Sequence, residues 1–82
     1  MMTLTVHLFA RARELAGADA VALDLPPGTT VAELRRTLAG RFPALAGLLE
    51  RSAVAVNHDF VEDIQVLVAC DEVAVIPPVS GG

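Results

Sequence analysis

The residues best placed to do chemistry are the last six, Pro77-Pro78-Val79-Ser80-Gly81-Gly82. A glycine carboxylate with no side chain beside it is a group that an activating enzyme can reach, convert to a mixed anhydride and pass to a nucleophile. Pro77 and Pro78 fix φ and carry no backbone N–H, so a strand ending at Ile76 cannot continue its ladder and the chain leaves the sheet extended. Fully stretched, six residues reach at most about 20 Å, enough to put the terminal carboxylate inside a partner's cleft. Gly81 and Gly82 have no Cβ, which makes the segment thin enough for a narrow channel. An ordinary frayed end would carry the same dipeptide. The direct continuity with Val73-Ala74-Val75-Ile76 argues instead for a tail hung on a core strand.

The remaining reactive side chains form no second centre. His7 and His58 have no ligand spacing with Cys70, Asp59 or Asp63, so no metal site is expected. Cys70 is the single cysteine, which rules out an internal disulfide and fits a small turn or core thiol. Ser80 has no histidine partner to activate it, and the isolated Gly17 and Gly28 make no phosphate loop. All six cations are arginine and there is no lysine, so an activated carboxyl could be captured internally only by the N-terminal amine.

Composition bounds the rest. Eighty-two residues make one domain with a single core, and 54% hydrophobic residues without Trp or Tyr mean a core of Val, Leu, Ile and Ala. A net charge of −4 argues against nucleic acid or an anionic membrane and favours a basic partner surface. No apolar run approaches the roughly 20 residues of a membrane span, and no export signal opens the chain, so a cytoplasmic protein is expected.

The elements that must position the tail follow from periodicity. Leu4, Val6 and Leu8 alternate with Thr3, Thr5, His7 and Phe9, a half-buried strand. Ala10 to Ala16 predicts two turns of helix stopped by Gly17, and Val21, Leu23 and Leu25 predict a second strand ending at Pro26-Pro27-Gly28. Thr30 and Glu33 form a capping box, after which Val31, Leu34, Leu38 and Phe42 recur at helical spacing, with Arg35, Arg36 and Arg41 largely off that face. Gly40 or Phe42-Pro43 ends this helix. Pro43 to Arg51 is either a second short helix or a packed irregular segment. Strands are expected at Ser52 to Val56 and Val73 to Ile76, with a turn at Asn57-His58-Asp59. Ile64 to Val68 could also pair with the sheet. This order is that of an α+β β-grasp, a ubiquitin-like mixed sheet on one main helix, with first and last strands parallel, residues 1–76 as the domain and 77–82 as the tail.

Three blocks carry a resemblance: Leu8-Phe9-Ala10-Arg11-Ala12-Arg13-Glu14-Leu15-Ala16-Gly17, Ala55-Val56-Asn57, and the run from Asp71 to Gly82. Together, in order and across the chain, they resemble the small subunit of molybdopterin synthase, the MoaD-type sulfur carrier. One departure is Ala69-Cys70 where that family usually has Asp-Gly, so a turn that favours glycine must be made differently or be strained.

The resemblance implies that Gly82 is adenylated by a MoeB-type adenylyltransferase that consumes ATP. A persulfide-bearing sulfurtransferase then converts it to a thiocarboxylate, which gives sulfur to cyclic pyranopterin monophosphate inside the large, MoaE-type subunit. It also implies that Gly81, Ser80, Val79, Pro78 and Pro77 guide the tail, and that Phe9, Arg13 and Ile76 face the partner. The carrier would bind no cofactor stably and have no independent catalytic activity. Phe9 could equally join a secondary core and Arg13 be a solvated helix charge. Alternatives are a thiazole-forming ThiS-like carrier, a carrier for cysteine or tRNA thiolation, a protein modifier joined through Gly82, or a β-grasp binding module with an inert tail.

Overall fold

A computed structural model describes residues 1–78. Strand β1, Met2–Leu8, buries Met2, Leu4, Val6 and Leu8 on one face, as its alternation predicts. It pairs antiparallel with β2, Ala20–Leu25, and parallel with the last strand, Glu72–Ile76, where Val6 lies opposite Val73 and Leu8 opposite Val75. Strands β3, Ala53–Val56, and β4, Asp59–Val61, complete the sheet, and the last strand is β5; the order is β2-β1-β5-β3-β4. The parallel pairing of first and last strands places the exit to the tail at the sheet centre.

Helix α1, Ala10–Ala16, follows β1 directly and ends on Gly17 at φ 72, the left-handed conformation in which glycine avoids a Cβ clash. The long helix α2, Val31–Arg41, packs Val31, Leu34 and Leu38 on the covered face of the sheet; Gly40 lies inside it and Phe42 caps it. The uncertain segment after Pro43 resolves into a 3-10 turn, Pro43–Leu45, and a short helix α3, Ala46–Arg51, which bury Leu45 and Leu49.

Ile64 to Val68 is not a sheet strand. Its single bridge joins Val66 to Thr30, and Ile64, Val66 and Val68 are exposed while Leu67 is buried. The reason lies in the start of α2, whose first N–H groups have no partner within the helix. Val31 N–H donates to Gln65 O at 2.9 Å, Ala32 N–H to Asp63 O at 3.0 Å, and Glu33 N–H to the Thr30 hydroxyl at 3.3 Å, the capping box expected from sequence. The segment therefore serves the helix rather than the sheet.

Arg35 is a structural arginine that the helical spacing does not announce. Its guanidinium donates to Asp63 Oδ1 at 2.8 Å, to Ser52 O at 2.7 Å and to Leu49 O, tying α2 to the end of α3 and to the 62–68 loop. The side chain is only 19% exposed, so these charge-assisted bonds are partly sheltered from water.

Candidate functional site

The face of the sheet turned away from α2 is open. Pairing aligns His7 of β1 with Ala74 of β5, Ala74 with Ala55 of β3, and Ala55 with Phe60 of β4, one continuous row across four strands. Two alanines thus make a low floor between larger side chains. The result is a groove of about 420 Å³ walled by His7 and Phe9 on one side and His58 and Phe60 on the other. Ala55 is only 5% exposed yet stands apart from the core cluster, consistent with a place on this floor.

Local chemistry holds each wall. Phe9 is the N-cap of α1, in extended conformation where the strand ends, and its carbonyl accepts from Ala12 N–H at 3.0 Å. Across the groove, Asn57 and His58 form a two-residue hairpin loop with φ of 51 and 72, left-handed values that asparagine tolerates. Asn57 is clamped to the start of β5: its side-chain amide donates to Asp71 Oδ1 at 2.9 Å and its Oδ1 accepts from Glu72 N–H at 2.9 Å. Phe60 is 71% exposed and Phe9 49%, a large aromatic surface for a chain with three aromatic residues.

Glu72 and Ile76, the two ends of β5, mark the ends of the groove, so its floor runs along the strand that leads to the tail. At the Glu72 end, His58 Nε2 stands 3.9 Å from Glu72 Oε2, both well exposed, a pair of little energetic weight. Beyond Ile76, Pro77 is buried and Pro78 exposed, so the chain clears the packed body at Pro78 rather than at Pro77. The expectations for Val79, Ser80, Gly81 and Gly82 lie outside the described residues.

Of the residues expected to face a partner, the groove brings Phe9 and Ile76 together and leaves Arg13 out. Arg13 lies on α1 with its Nε 3.7 Å from Asp19 Oδ1, both side chains more than half exposed. At such exposure the pair carries little energy. His7, Ala55, His58, Phe60, Glu72 and Ala74 also line the groove, a place that sequence reasoning did not assign to them. Strand alternation already set His7 and Ala74 opposite to the core positions, but only the register shows that they meet. Cys70 is exposed and sits at φ 79 in the turn that Asp71 N–H closes onto Val68 O at 3.1 Å, so the strained option for this turn is the one realised. Among the described residues no group of three or more His, Cys, Asp or Glu could hold a metal ion, and no helix is long and apolar enough to cross a membrane.

A five-stranded mixed sheet on a main helix, with an open apolar face running into its C-terminal strand, defines a ubiquitin-like β-grasp protein. The profile of the ThiS family matches residues 6–82. The molybdopterin synthase sulfur carrier subunit of Dictyostelium discoideum is 40% identical over 94% of this chain and 93% of its own. That of Arabidopsis thaliana is 38% identical over 96% of this chain and 82% of its own. Among solved structures, the Haloferax volcanii small archaeal modifier protein 1 superposes with a TM-score of 0.89 at 28% identity, covering 96% of this chain and 100% of that one. A chain in a complex of subunits 1 and 2 of the molybdopterin-converting factor from Helicobacter pylori shares the fold with a TM-score of 0.71 at 22% identity, over 99% of this chain and 100% of that one. The chain belongs to the ThiS family, and to the family of the molybdopterin synthase sulfur carrier subunits.

Proposed function

We propose that this chain is the sulfur carrier subunit of a molybdopterin synthase, with Gly82 as its reacting residue. The observation that carries the reading is the groove along β5, a docking surface whose floor continues into the tail. A partner that grips Phe9, Phe60 and Ile76 has the strand end in its grasp and the tail aimed into it. The names of the full-length relatives support the sulfur-carrier assignment. The complex containing the Helicobacter pylori neighbour suggests a large subunit as the docked partner.

The chemistry falls on Gly82. A carboxylate resists nucleophiles, so its oxygen first attacks the α-phosphorus of ATP on a MoeB-type adenylyltransferase, releasing pyrophosphate. The terminal sulfur of a sulfurtransferase persulfide then attacks the acyl carbon and AMP leaves. A thiol cleaves the resulting acyl disulfide at its S–S bond and frees the thiocarboxylate. That sulfur adds to cyclic pyranopterin monophosphate within the large subunit, and water then cleaves the acyl–sulfur bond, which leaves the sulfur on the pterin and returns Gly82 as a carboxylate. Positioning is the carrier's contribution, and holding a reacting atom against its target is worth several kcal/mol, on the order of 7–11 at best. ATP is consumed by the activating partner, and the carrier itself keeps no cofactor.

Intact mass after incubation with ATP, the adenylyltransferase and a persulfide donor tests this. A gain equal to sulfur replacing oxygen, lost again when the large subunit and the pterin are added, is the expected result. An unchanged mass contradicts it. The likeness to the small archaeal modifier protein favours a second reading, a protein modifier joined through Gly82, which predicts isopeptide adducts on target proteins instead.

A further inference from the structure

We infer that Asn57 and Asp71 are positioning residues for docking: their side chains lock the hairpin that carries His58 and Phe60 to the start of β5, and so fix the far wall of the groove. The inference rests on the reading that a large subunit grips the groove. It assigns part of that grip to two side chains that do not themselves line it.

The wall needs a lock because little else holds it. β4 is three residues long, pairs with β3 alone and forms one edge of the sheet. The turn leading into it puts two successive non-glycine residues in the left-handed region, Asn57 at φ 51 and His58 at φ 72. Such conformations persist where the surrounding structure holds them. Asn57 supplies the holding. Its backbone N–H donates to Glu72 O at 2.8 Å, its side-chain oxygen accepts from Glu72 N–H at 2.9 Å, and its side-chain amide donates to Asp71 Oδ1 at 2.9 Å.

Asp71 carries the lock further. Its second oxygen, Oδ2, accepts from Val68 N–H at 2.8 Å, and its own N–H donates to Val68 O at 3.1 Å. These bonds close the turn in which Cys70 sits at φ 79, another left-handed residue that is not glycine. One carboxylate thus ties two strained turns, 57–58 and 68–71, to each other. The core is not involved: Asn57 is exposed, Asp71 is half-buried, and neither belongs to the buried cluster.

That placement separates a positioning role from a structural one. Losing a few surface hydrogen bonds leaves nearly every molecule folded in a domain of ordinary stability. A merely structural role would therefore move the unfolding midpoint and leave the affinity of the folded chain unchanged. A positioning role changes the affinity itself, because a loosened hairpin must be ordered when the partner docks.

The test measures docking of the 82-residue chain to the large, MoaE-type subunit by calorimetric titration near neutral pH, beside urea unfolding of each variant. Asn57→Asp sets a second carboxylate against Asp71. Asn57→Gly removes the side-chain bonds without adding charge and keeps a left-handed φ free of strain. Combining Asn57→Asp with Asp71→Asn rebuilds the lock at unchanged net charge: the carboxylate at 57 accepts from Glu72 N–H and from the new amide at 71, whose oxygen still accepts from Val68 N–H. We expect each single variant, folded by its urea transition, to dock at least about fivefold more weakly than the native chain, about 1 kcal/mol, and the exchanged pair to dock within about twofold of it. A smaller weakening in either folded single variant, or an exchanged pair that does not recover, overturns the inference. Failure of both single variants to fold overturns it too, since the lock would then belong to the fold. A native chain that does not dock at all overturns the reading of the groove, and the inference with it.

Discussion

The covered and the open faces of the sheet are built from the same strands, one residue out of step. On the covered face Leu4, Val6, Leu8, Val54, Val73 and Val75 are buried against α2 with Val31, Leu34 and Leu38. On the open face His7, Ala74, Ala55 and Phe60 line up across the same hydrogen-bonded pairs and leave two aromatic rings in water. The two-residue period of a strand lets one sheet divide stability and recognition between neighbouring residues without sharing a side chain. Substitutions on the two faces should therefore affect different measurements.

The sharpest break of that division comes from the covered face. Leu34→Ala should cost about 2–5 kcal/mol of folding stability, measured by urea unfolding, because it leaves a cavity among fully buried side chains. A smaller but cleaner effect is expected across the sheet. Ala74→Arg, which fills the groove floor, should weaken docking to the large subunit at least about tenfold by calorimetric titration, roughly 1.4 kcal/mol, with little change in unfolding. Phe60→Ala should weaken the same docking by about 1–2 kcal/mol and shift folding stability by no more than about 0.5, since the ring is largely in water. The smallest change sharpens the comparison from outside both faces. Cys70→Gly should raise stability by about 1 kcal/mol by relieving the φ 79 turn, and leave docking unaltered. A Phe60→Ala protein that melts like Leu34→Ala would show that the open face is part of the core after all.

What could be read from the sequence was what is local. The β1 alternation, the capping box at Thr30 and Glu33, and the stop at Gly17 each depend on residues within one turn or one strand, and each is where it was expected. The ubiquitin-like order of elements follows from them. The segment Ile64 to Val68 misled because apolar alternation looks the same whether the backbone pairs with a sheet or with the free N–H groups of a helix start. Arg35 was hidden for a related reason: off the apolar stripe it reads as a surface charge, and its carbonyl partners at Leu49 and Ser52 are far away in sequence. The groove was legible only in part. Phe9 and Ile76 came from a family resemblance, whereas Ala55, Ala74 and Phe60 emerge only from a register that joins four strands, which no single stretch encodes.

If chemistry resides in the last glycines while docking and folding reside elsewhere, truncation separates the two. The most direct test is sulfur transfer to the pterin by a chain lacking Gly81 and Gly82, assayed with the adenylyltransferase, sulfurtransferase and large subunit present. The prediction is a complete loss of transfer by a protein that unfolds at the same urea concentration as the full chain. Transfer that continues without the two glycines would contradict it.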